Sequence, residues 1–379
     1  MSPMLPAEPA HARSLTALVP DAIASMTGSP TRLGLAPVRS VVVVVIDGLG
    51  AANLAARAGH ARFLTGAMRR KDVARSVFPT TTAAALTSLM TGDDPGRHGI
   101  VGYRVRVPET GLLANQLSGW DHDGLDPATW QRSPTLFETS VAEGVRGVVV
   151  SREEYRDSGF TRAAFRGSSF RSADSFADRL ALAAESASAD DRTLVYAYAP
   201  ELDSAGHRHG WESDDWLHAL EEADAAVRGL AAALPADIGV LVTADHGMVD
   251  VARTGHVLLG EDDPLVSGVA AIGGEPRMLH LYAEPGEEAR VLERWRAAES
   301  GRSWVMSREE AVGAGLFGIV APEVFPRIGD VLVAARARIA YYDDRLSDKA
   351  SQRMIGQHGS LTSEERIVPL IRLGGYARD

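Results

Sequence analysis

The apolar run from Val41 to Ile46 most constrains the fold of this 379-residue chain. Together with the next two residues it reads VVVVVIDG, without the alternation typical of a strand that has one face in solvent. Such a strand is buried on both faces, as in the centre of a mainly parallel sheet. The chain is long enough to bury a sizeable core around it.

Three similar apolar runs follow, RGVVVS, LVYAYAP and IGVLVTADHG, and helical patterns separate them. This alternation predicts an α/β fold with a doubly wound, mainly parallel sheet flanked by helices. Between residues 251 and 345 alternating strands mix with an amphipathic helix, which predicts a small inserted α+β subdomain. Residues 37–250 and 346–379 are then the catalytic core, and residues 1–36 are a loosely attached N-terminal lead-in with one helix.

The composition excludes several classes of function. A formal net charge of −11 gives no broad positive surface for a nucleic acid or an anionic membrane. The chain has no cysteine, so any metal must be bound by His, Asp or Glu. No signal peptide or membrane-spanning run is readable, and we expect a cytoplasmic protein that binds neither nucleic acid stably nor a membrane.

Polar residues with metal-binding chemistry follow the apolar runs, where ligands gather in open α/β sheets. They are Asp47, Asp203, His207, Asp245, His246 and His358, with three threonines at 80–82. Three carboxylates and three imidazoles amount to two sets of oxygen and nitrogen ligands. Zinc is the metal that this set suggests first, with manganese as the alternative.

Each residue also has an ordinary structural interpretation. Asp47 after a strand is equally typical of a helix cap, and Thr80 and Thr81 suit turn and ladder hydrogen bonds. The other histidines considered, at positions 209, 218, 256 and 280, have no comparable context. The joint occurrence of all the elements in order favours the metal interpretation, since independent structural roles would rarely produce it.

In order along the chain, VIDGLG, FPTTTAAALTSLMTG, PELDSAGHRHG, TADHGM, GEPRMLHLYA and GQHGSLTSEE resemble the signature segments of the alkaline phosphatase superfamily. The resemblance is closest to its nucleotide pyrophosphatase/phosphodiesterase branch and covers about residues 40–370. It implies an alkaline phosphatase-like fold and a hydrolase that acts through two divalent ions.

The resemblance also implies the role of each residue. Asp47, Asp245 and His246 would bind one ion together with the nucleophile, and Asp203, His207 and His358 would bind the other. The nucleophile falls on Thr82, with Thr81 as the alternative if the register differs by one. Thr82 also precedes the helical run AAALTSLM, so it stands where unpaired backbone N–H groups favour an alkoxide or phosphate.

One departure from the branch concerns the stabilisation of the phosphate. The branch usually carries an asparagine after its nucleophile that helps to hold a phosphate oxygen, and this chain has Ala85 there. The role would pass to the metals and the Thr82 backbone N–H, or to another donor such as Tyr103.

The predicted function is therefore hydrolysis of phosphodiester or phosphoanhydride bonds through a covalent threonine intermediate, with a nucleotide diester or pyrophosphate as substrate. A phosphomonoesterase or phosphonate hydrolase of the same superfamily is the alternative. A sulfatase is disfavoured because its modification motif is absent. A dinucleotide-binding turn at Gly48 and Gly50 is disfavoured because Asn53 replaces the third glycine. A non-catalytic metal-binding module remains a further alternative.

Overall fold

The computed structural model describes residue 5 and residues 13–377 of the chain. In that part of the chain the strands are β1 (Arg13–Ser14), β2 (Ser40–Ile46), β3 (Val73–Arg75), β4 (Arg104–Arg106), β5 (Leu113–Asn115), β6 (Arg146–Ser151), β7 (Ser169–Ser172), β8 (Thr193–Ala199), β9 (Ile238–Thr243), β10 (Val249–Asp250), β11 (His256–Leu259), β12 (Val269–Glu275), β13 (Met278–Ala283), β14 (Ser303–Ser307), β15 (Val331–Ala335), β16 (Ala340–Asp343), β17 (Gly356–Gln357) and β18 (Ile367–Gly374).

The α-helices of the same residues are α1 (Leu18–Thr27), α2 (Ala51–Ala56), α3 (Arg62–Ala67), α4 (Thr82–Thr91), α5 (Pro95–His98), α6 (Leu136–Ser140), α7 (Gly159–Ala164), α8 (Phe176–Ser188), α9 (Glu201–His209), α10 (Asp214–Ala233), α11 (Glu288–Glu299), α12 (Arg308–Gly313) and α13 (Ser363–Arg366). None of the described helices is both long and apolar enough to cross a bilayer.

The large sheet has eight strands in the order β1-β3-β18-β9-β2-β8-β6-β7. All its pairings are parallel except those of β18, which runs antiparallel to both β3 and β9. β2 lies inside the sheet, and every one of its residues is buried. The valine run is therefore the central strand that its lack of alternation predicted.

The N-terminal helix α1 belongs to the main core. Leu18, Val19 and Ala22 are fully buried in the same apolar cluster as β2, and Gly28 ends the helix with a left-handed φ of 77°. Loose attachment of this segment was therefore a wrong expectation, because α1 buries its apolar face. Replacing Leu18 with alanine should cost about 2–5 kcal/mol of folding free energy. Residues 1–4 and 6–12 of the lead-in lie outside the described residues.

A smaller antiparallel sheet, in the order β12-β13-β15-β14, lies within the segment predicted as an insertion. Successive side chains along its strands pack alternately in two apolar clusters. Leu279 and Val333 pack in a separate cluster with Trp295 of α11, whereas Met278 and Leu332 pack in the main core. One face of the small sheet is thus joined to the large domain, and the boundaries at 251 and 345 stay a prediction.

Candidate active site

The candidate site lies at the carboxyl ends of β8, β2 and β9, which are neighbours in the large sheet. Asp47 directly follows β2, and Asp245 and His246 follow β9 after one intervening residue. Asp203 and His207 lie on α9, which begins two residues after β8 ends. Because the three strands are parallel, their ends meet at one edge and bring these side chains together.

Asp47, Asp245 and His246 form a fully enclosed group that we call the inner half-site. His246 Nε2 lies 3.2 Å from Asp47 Oδ1 and 3.5 Å from Asp245 Oδ2. The other oxygen of Asp245 accepts hydrogen bonds from the backbone N–H of His246 (3.0 Å) and of Gly48 (3.3 Å). These bonds fix the carboxylate and turn Oδ2 towards the imidazole.

Asp203, His207 and His358 form a second group, the outer half-site, which is less enclosed. Asp203 and His207 are four residues apart on α9, so their side chains share one face of the helix, with Oδ1 and Nε2 3.4 Å apart. His358 follows β17, and its ring centroid lies 5.1 Å from that of His207. The side chains of Asp203 and His207 remain 16% and 21% exposed.

The two half-sites form one continuous cluster. The ligand atoms of Asp203, His207 and His358 lie within 4.8 Å of one another, and so do those of Asp47, Asp203 and His246. Asp203 therefore reaches both groups, and the His246 and His358 rings stack with their centroids 3.6 Å apart. The structure brings together all six predicted ligands, while their division between two ions stays a prediction.

Three carboxylate oxygens of the cluster are buried and have no hydrogen-bond partner among the described residues. These are Asp47 Oδ1, Asp203 Oδ1 and Asp245 Oδ2. A buried carboxylate oxygen without a partner is costly, and bound cations are a usual reason for its presence. The oxygens therefore fit a site for divalent metal ions.

The three imidazoles of the cluster are also oriented for metal binding, because each places its Nδ1 against a backbone carbonyl. The pairs are His207 with Gly356 (2.7 Å), His246 with Gly247 (3.1 Å) and His358 with Thr80 (2.8 Å). A carbonyl only accepts, so each Nδ1 carries the proton and donates it. Each Nε2 is then unprotonated and has the lone pair that a metal requires.

Burial and closely spaced ionisable groups shift pKa values in the cluster. Burial raises the pKa of Asp47 well above its usual range, and the neighbouring Asp245 and Asp203 carboxylates raise it further. Burial lowers the pKa of His358 well below its usual value, and His246 and His207 lower it further. Divalent cations would neutralise the carboxylates and require neutral imidazoles, so the donor set fits them in charge as well as in geometry.

Thr82 is the first residue of α4, directly beside the inner half-site. Its Oγ1 lies 3.2 Å from His246 Nε2, and the residue is 6% exposed. The N-cap of the helix is Thr81, in an extended conformation with φ −117° and ψ 143°. The first backbone N–H groups of a helix have no partner within the helix, so the N-terminus of α4 suits a negatively charged group.

The other two threonines have structural partners. The Thr80 hydroxyl donates to the carbonyl of Ser360 (3.0 Å) and accepts from the N–H of Gly359 (3.1 Å), which holds this loop against the segment that carries His358. The Thr81 hydroxyl faces the Glu275 carboxyl. Of the three consecutive hydroxyls, that of Thr82 contacts the cluster.

A cavity of about 390 Å³ opens beside Thr82. Six aromatic residues contribute to its wall, Tyr155, Phe160, Phe165, Phe170, Tyr196 and Tyr198. Among the described residues that line it there is no lysine and no arginine. Its volume is within the usual range for small-molecule sites, and its wall suits a planar apolar group.

Tyr103, the expected alternative donor, lines a different cavity of about 520 Å³ together with Glu275 and Tyr342. Two contacts of the cluster could not be predicted from the sequence. The Tyr198 hydroxyl donates to Asp47 Oδ2, and Glu275 Oε2 lies 3.5 Å from His358 Nδ1. Both residues come from strands far from their partners in the sequence.

The sequence matches the type I phosphodiesterase / nucleotide pyrophosphatase family over residues 41–361. The chain belongs to this family. Its members are hydrolases that act on phosphoester bonds, and the match confirms the resemblance noted from the motifs.

Two curated fungal relatives match part of the chain. Ectonucleotide pyrophosphatase/phosphodiesterase 1 of Saccharomyces cerevisiae is 24% identical over 221 residues, which are 49% of this chain and 29% of the yeast protein. An uncharacterised pyrophosphatase/phosphodiesterase of Schizosaccharomyces pombe is 25% identical over 219 residues, 55% of this chain and 44% of that protein. The chain thus spans less than half the length of either relative.

Solved structures share the fold. Murine ectonucleotide pyrophosphatase/phosphodiesterase 5 superposes with a TM-score of 0.69 at 19% identity, covering 89% of this chain and 88% of that chain. Phosphonoacetate hydrolase from Sinorhizobium meliloti in complex with phosphonoacetate gives 0.68 at 20% identity, covering 89% and 91%. The predicted α/β fold is thereby confirmed.

Proposed function

We propose that this chain is a metal-dependent phosphodiesterase or nucleotide pyrophosphatase in which Thr82 forms a covalent intermediate. The observation that carries the proposal is the Thr82 hydroxyl at the N-terminus of α4, 3.2 Å from an imidazole of the cluster. Three carboxylate oxygens of that cluster have no hydrogen-bond partner among the described residues. The six ligands would hold two divalent ions, zinc first and manganese as the alternative. The cytoplasmic location stays a prediction from the sequence.

The reaction has two displacements at phosphorus. Thr82 Oγ attacks in line, the bond from phosphorus to the leaving oxygen breaks, and that oxygen leaves with the electron pair and is protonated. Water then displaces Thr82 Oγ and restores the hydroxyl. Bound divalent ions would activate the hydroxyl and neutralise charge that develops on the phosphoryl group. The N-terminus of α4 offers backbone N–H groups that would bind phosphoryl oxygens of the substrate.

The aromatic cavity beside Thr82 supports a substrate with one planar or apolar ester arm, such as a nucleoside. An inactive threonine-to-alanine variant of the murine relative has been solved in complex with AMP, which agrees with a nucleotide unit. Phosphonoacetate carries two anionic groups, and a cavity without lysine or arginine among its described lining residues is poorly suited to it. The diester or anhydride is therefore the preferred class, and a phosphonate or monoester remains the alternative.

The nucleophile is tested by comparing Thr82→Ala with Thr81→Ala as its matched neighbour. Thr82→Ala should keep its bound metal and lose turnover by roughly 10³-fold or more. Thr81→Ala should lose much less, because the Thr81 hydroxyl faces Glu275 rather than the cluster. An unchanged rate in Thr82→Ala, or the larger loss in Thr81→Ala, would reject the assignment.

The substrate class is tested with a panel of bis-para-nitrophenyl phosphate, a dinucleoside pyrophosphate, a mono-aryl phosphate and phosphonoacetate. We expect the highest kcat/KM for the diester or the anhydride. Faster hydrolysis of the monoester or of phosphonoacetate would favour the alternative. Metal analysis of the purified chain identifies the resident ion.

A further inference from the structure

We propose that Glu275, supplied by the smaller sheet, is a positioning residue that holds both Thr81 and His358 in their working orientations. This inference rests on the proposed function, since it assigns Glu275 to the same site. Glu275 is the last residue of β12, the strand at the edge of the smaller sheet. The inserted segment would thus contribute directly to the chemistry of the large domain.

The contacts of Glu275 lead to both sides of the site. Its carboxyl faces the hydroxyl of Thr81, the residue before the proposed nucleophile. Its Oε2 lies 3.5 Å from Nδ1 of His358, the nitrogen that also donates to the Thr80 carbonyl at 2.8 Å, on the side of the ring opposite Nε2. The adjacent residue Gly359 has a left-handed φ of 123°, and a Cβ there would lie 2.7 Å from the Glu275 carboxyl carbon. A glycine is therefore needed for this close approach.

The stability of the fold does not account for a carboxyl at this position. Glu275 is 8% exposed, and its Oε1 has no hydrogen-bond partner among the described residues. The nearby Glu365 has its own bidentate partner in Arg277, with bonds of 2.8 and 2.9 Å. A buried carboxyl beside another carboxylate costs free energy, so its contacts with Thr81 and His358 offer the better reason for its presence.

The two contacts have distinct consequences. The Thr80 carbonyl accepts the Nδ1 proton of His358, and the Glu275 carboxyl is a second group behind the ring that would help to fix its plane. Loss of such a supporting group costs about 10-fold to 100-fold in metal affinity or activity. The contact with Thr81 would fix the N-cap residue of α4 and so the start of the helix at Thr82. Glu275 should therefore affect ion affinity through His358 and kcat through Thr81.

The experiment compares Glu275→Gln with Glu299→Gln in the full chain. Glu299 is a matched control because it is a buried carboxyl of the same segment, 3% exposed, that bonds Arg302 and Tyr341 away from the cluster. Zinc affinity is measured by competition with a chelator, kcat and KM with bis-para-nitrophenyl phosphate, and the thermal midpoint on the metal-free chain.

For Glu275→Gln we expect zinc affinity to fall about 10-fold or more and kcat to fall with KM nearly unchanged. The midpoint of the metal-free chain should not decrease, because the variant removes a buried like-charge contact. Glu299→Gln should lower the midpoint and leave zinc affinity unchanged. Wild-type zinc affinity in Glu275→Gln, or an equal loss of affinity in Glu299→Gln, would overturn the proposal.

A double-mutant cycle with Thr81→Val tests the second contact. If Glu275 acts on kcat through Thr81, the effect of Glu275→Gln on kcat should be smaller in the Thr81→Val background. Fully additive effects would overturn this part of the inference. Zinc affinity does not require turnover, so a chain that hydrolyses none of the tested substrates would defeat the proposed function and still report on Glu275.

Discussion

The inner and outer half-sites use the same kinds of ligand and differ in how the fold supports them. Asp47, Asp245 and His246 are at most 2% exposed and follow two central strands of a sheet that is buried on both faces. Asp203 and His207 lie on a helix and are partly exposed. The strand ends therefore make a rigid, enclosed group, and the helix makes a group that solvent can reach.

This difference in burial predicts which half-site binds its metal ion more tightly and which one exchanges it with solvent. A carboxylate that is buried, fixed by two backbone N–H groups and left with one unpaired oxygen can gain much from an ion and adapt little without it. A solvent-accessible pair four residues apart on a helix can be hydrated when the ion leaves. We therefore expect the inner half-site to bind more tightly and to tolerate substitution less well.

The largest effect should come from breaking the inner half-site with Asp245→Asn. The variant should lose bound metal and about 10³-fold in kcat/KM, because the amide cannot replace the charge of a buried ligand. Metal analysis after dialysis and steady-state kinetics measure both quantities. Asp224→Asn is the control, since Asp224 accepts from the N-terminal N–H groups of α3 and should affect stability alone. A metal content equal to that of the wild type would contradict the assignment of Asp245.

A smaller effect should follow from His207→Ala in the outer half-site. We expect a loss of roughly 10-fold to 100-fold in activity, because Asp203 and His358 remain and water can fill the partly exposed position. Raised zinc concentration should recover most of the activity, whereas it should not recover Asp245→Asn. Equal losses in the two variants, with equal resistance to zinc, would remove the distinction between the half-sites.

Tyr198→Phe removes one hydroxyl and tests whether that hydroxyl supports Asp47 in the inner half-site. The Tyr198 O–H donates to Asp47 Oδ2, so its removal frees the carboxylate to rotate while the ring still fills the cavity. We expect about a tenfold loss of zinc affinity, measured by chelator competition. Tyr155→Phe is the control, because Tyr155 lines the same cavity and makes an edge contact with Tyr198. A loss of affinity in both variants would point to the cavity rather than to Asp47.

The smallest expected effect is a pH dependence of stability that arises from His280, a residue of β13 outside both half-sites. Burial and, to a smaller extent, the Arg308 charge lower the pKa of His280 to about 3. The same histidine has a pKa near 6.5 in the unfolded chain. Between a pH of about 3 and about 6.5 the unfolded chain therefore binds a proton that the folded chain does not, and the free energy of unfolding decreases as the pH is lowered. Between pH 7 and 5.5 this should cost about 1 kcal/mol.

The effect of His280 is isolated by measuring denaturant unfolding of the metal-free wild type and of His280→Gln at both pH values. The comparison is needed because the raised pKa of Asp47 makes the folded chain bind protons and acts in the opposite direction. The wild type should lose about 1 kcal/mol more stability than the variant. An identical pH dependence in the two chains would contradict a neutral buried imidazole.

Much of the fold could be predicted from the sequence because the signals were local. The unbroken valine run of β2 indicates burial on both faces, and Thr82 before a run of small residues indicates a helix start. The helix α1 was misjudged as loosely attached, because an amphipathic pattern shows which face is apolar and not how firmly that face is covered. Its burial against the main core depends on segments distant in the sequence.

The sequence by itself determined which residue types could bind metal and that they follow buried strands, because burial and strand ends are written in local patterns. Only the tertiary structure decided that Asp203 reaches both half-sites and that Thr82 rather than Thr81 faces His246. It also decided that Tyr198 lies against Asp47 and Glu275 against His358. The physical reason is that a contact between distant segments depends on strand order and on the direction of side chains, which periodicity does not specify.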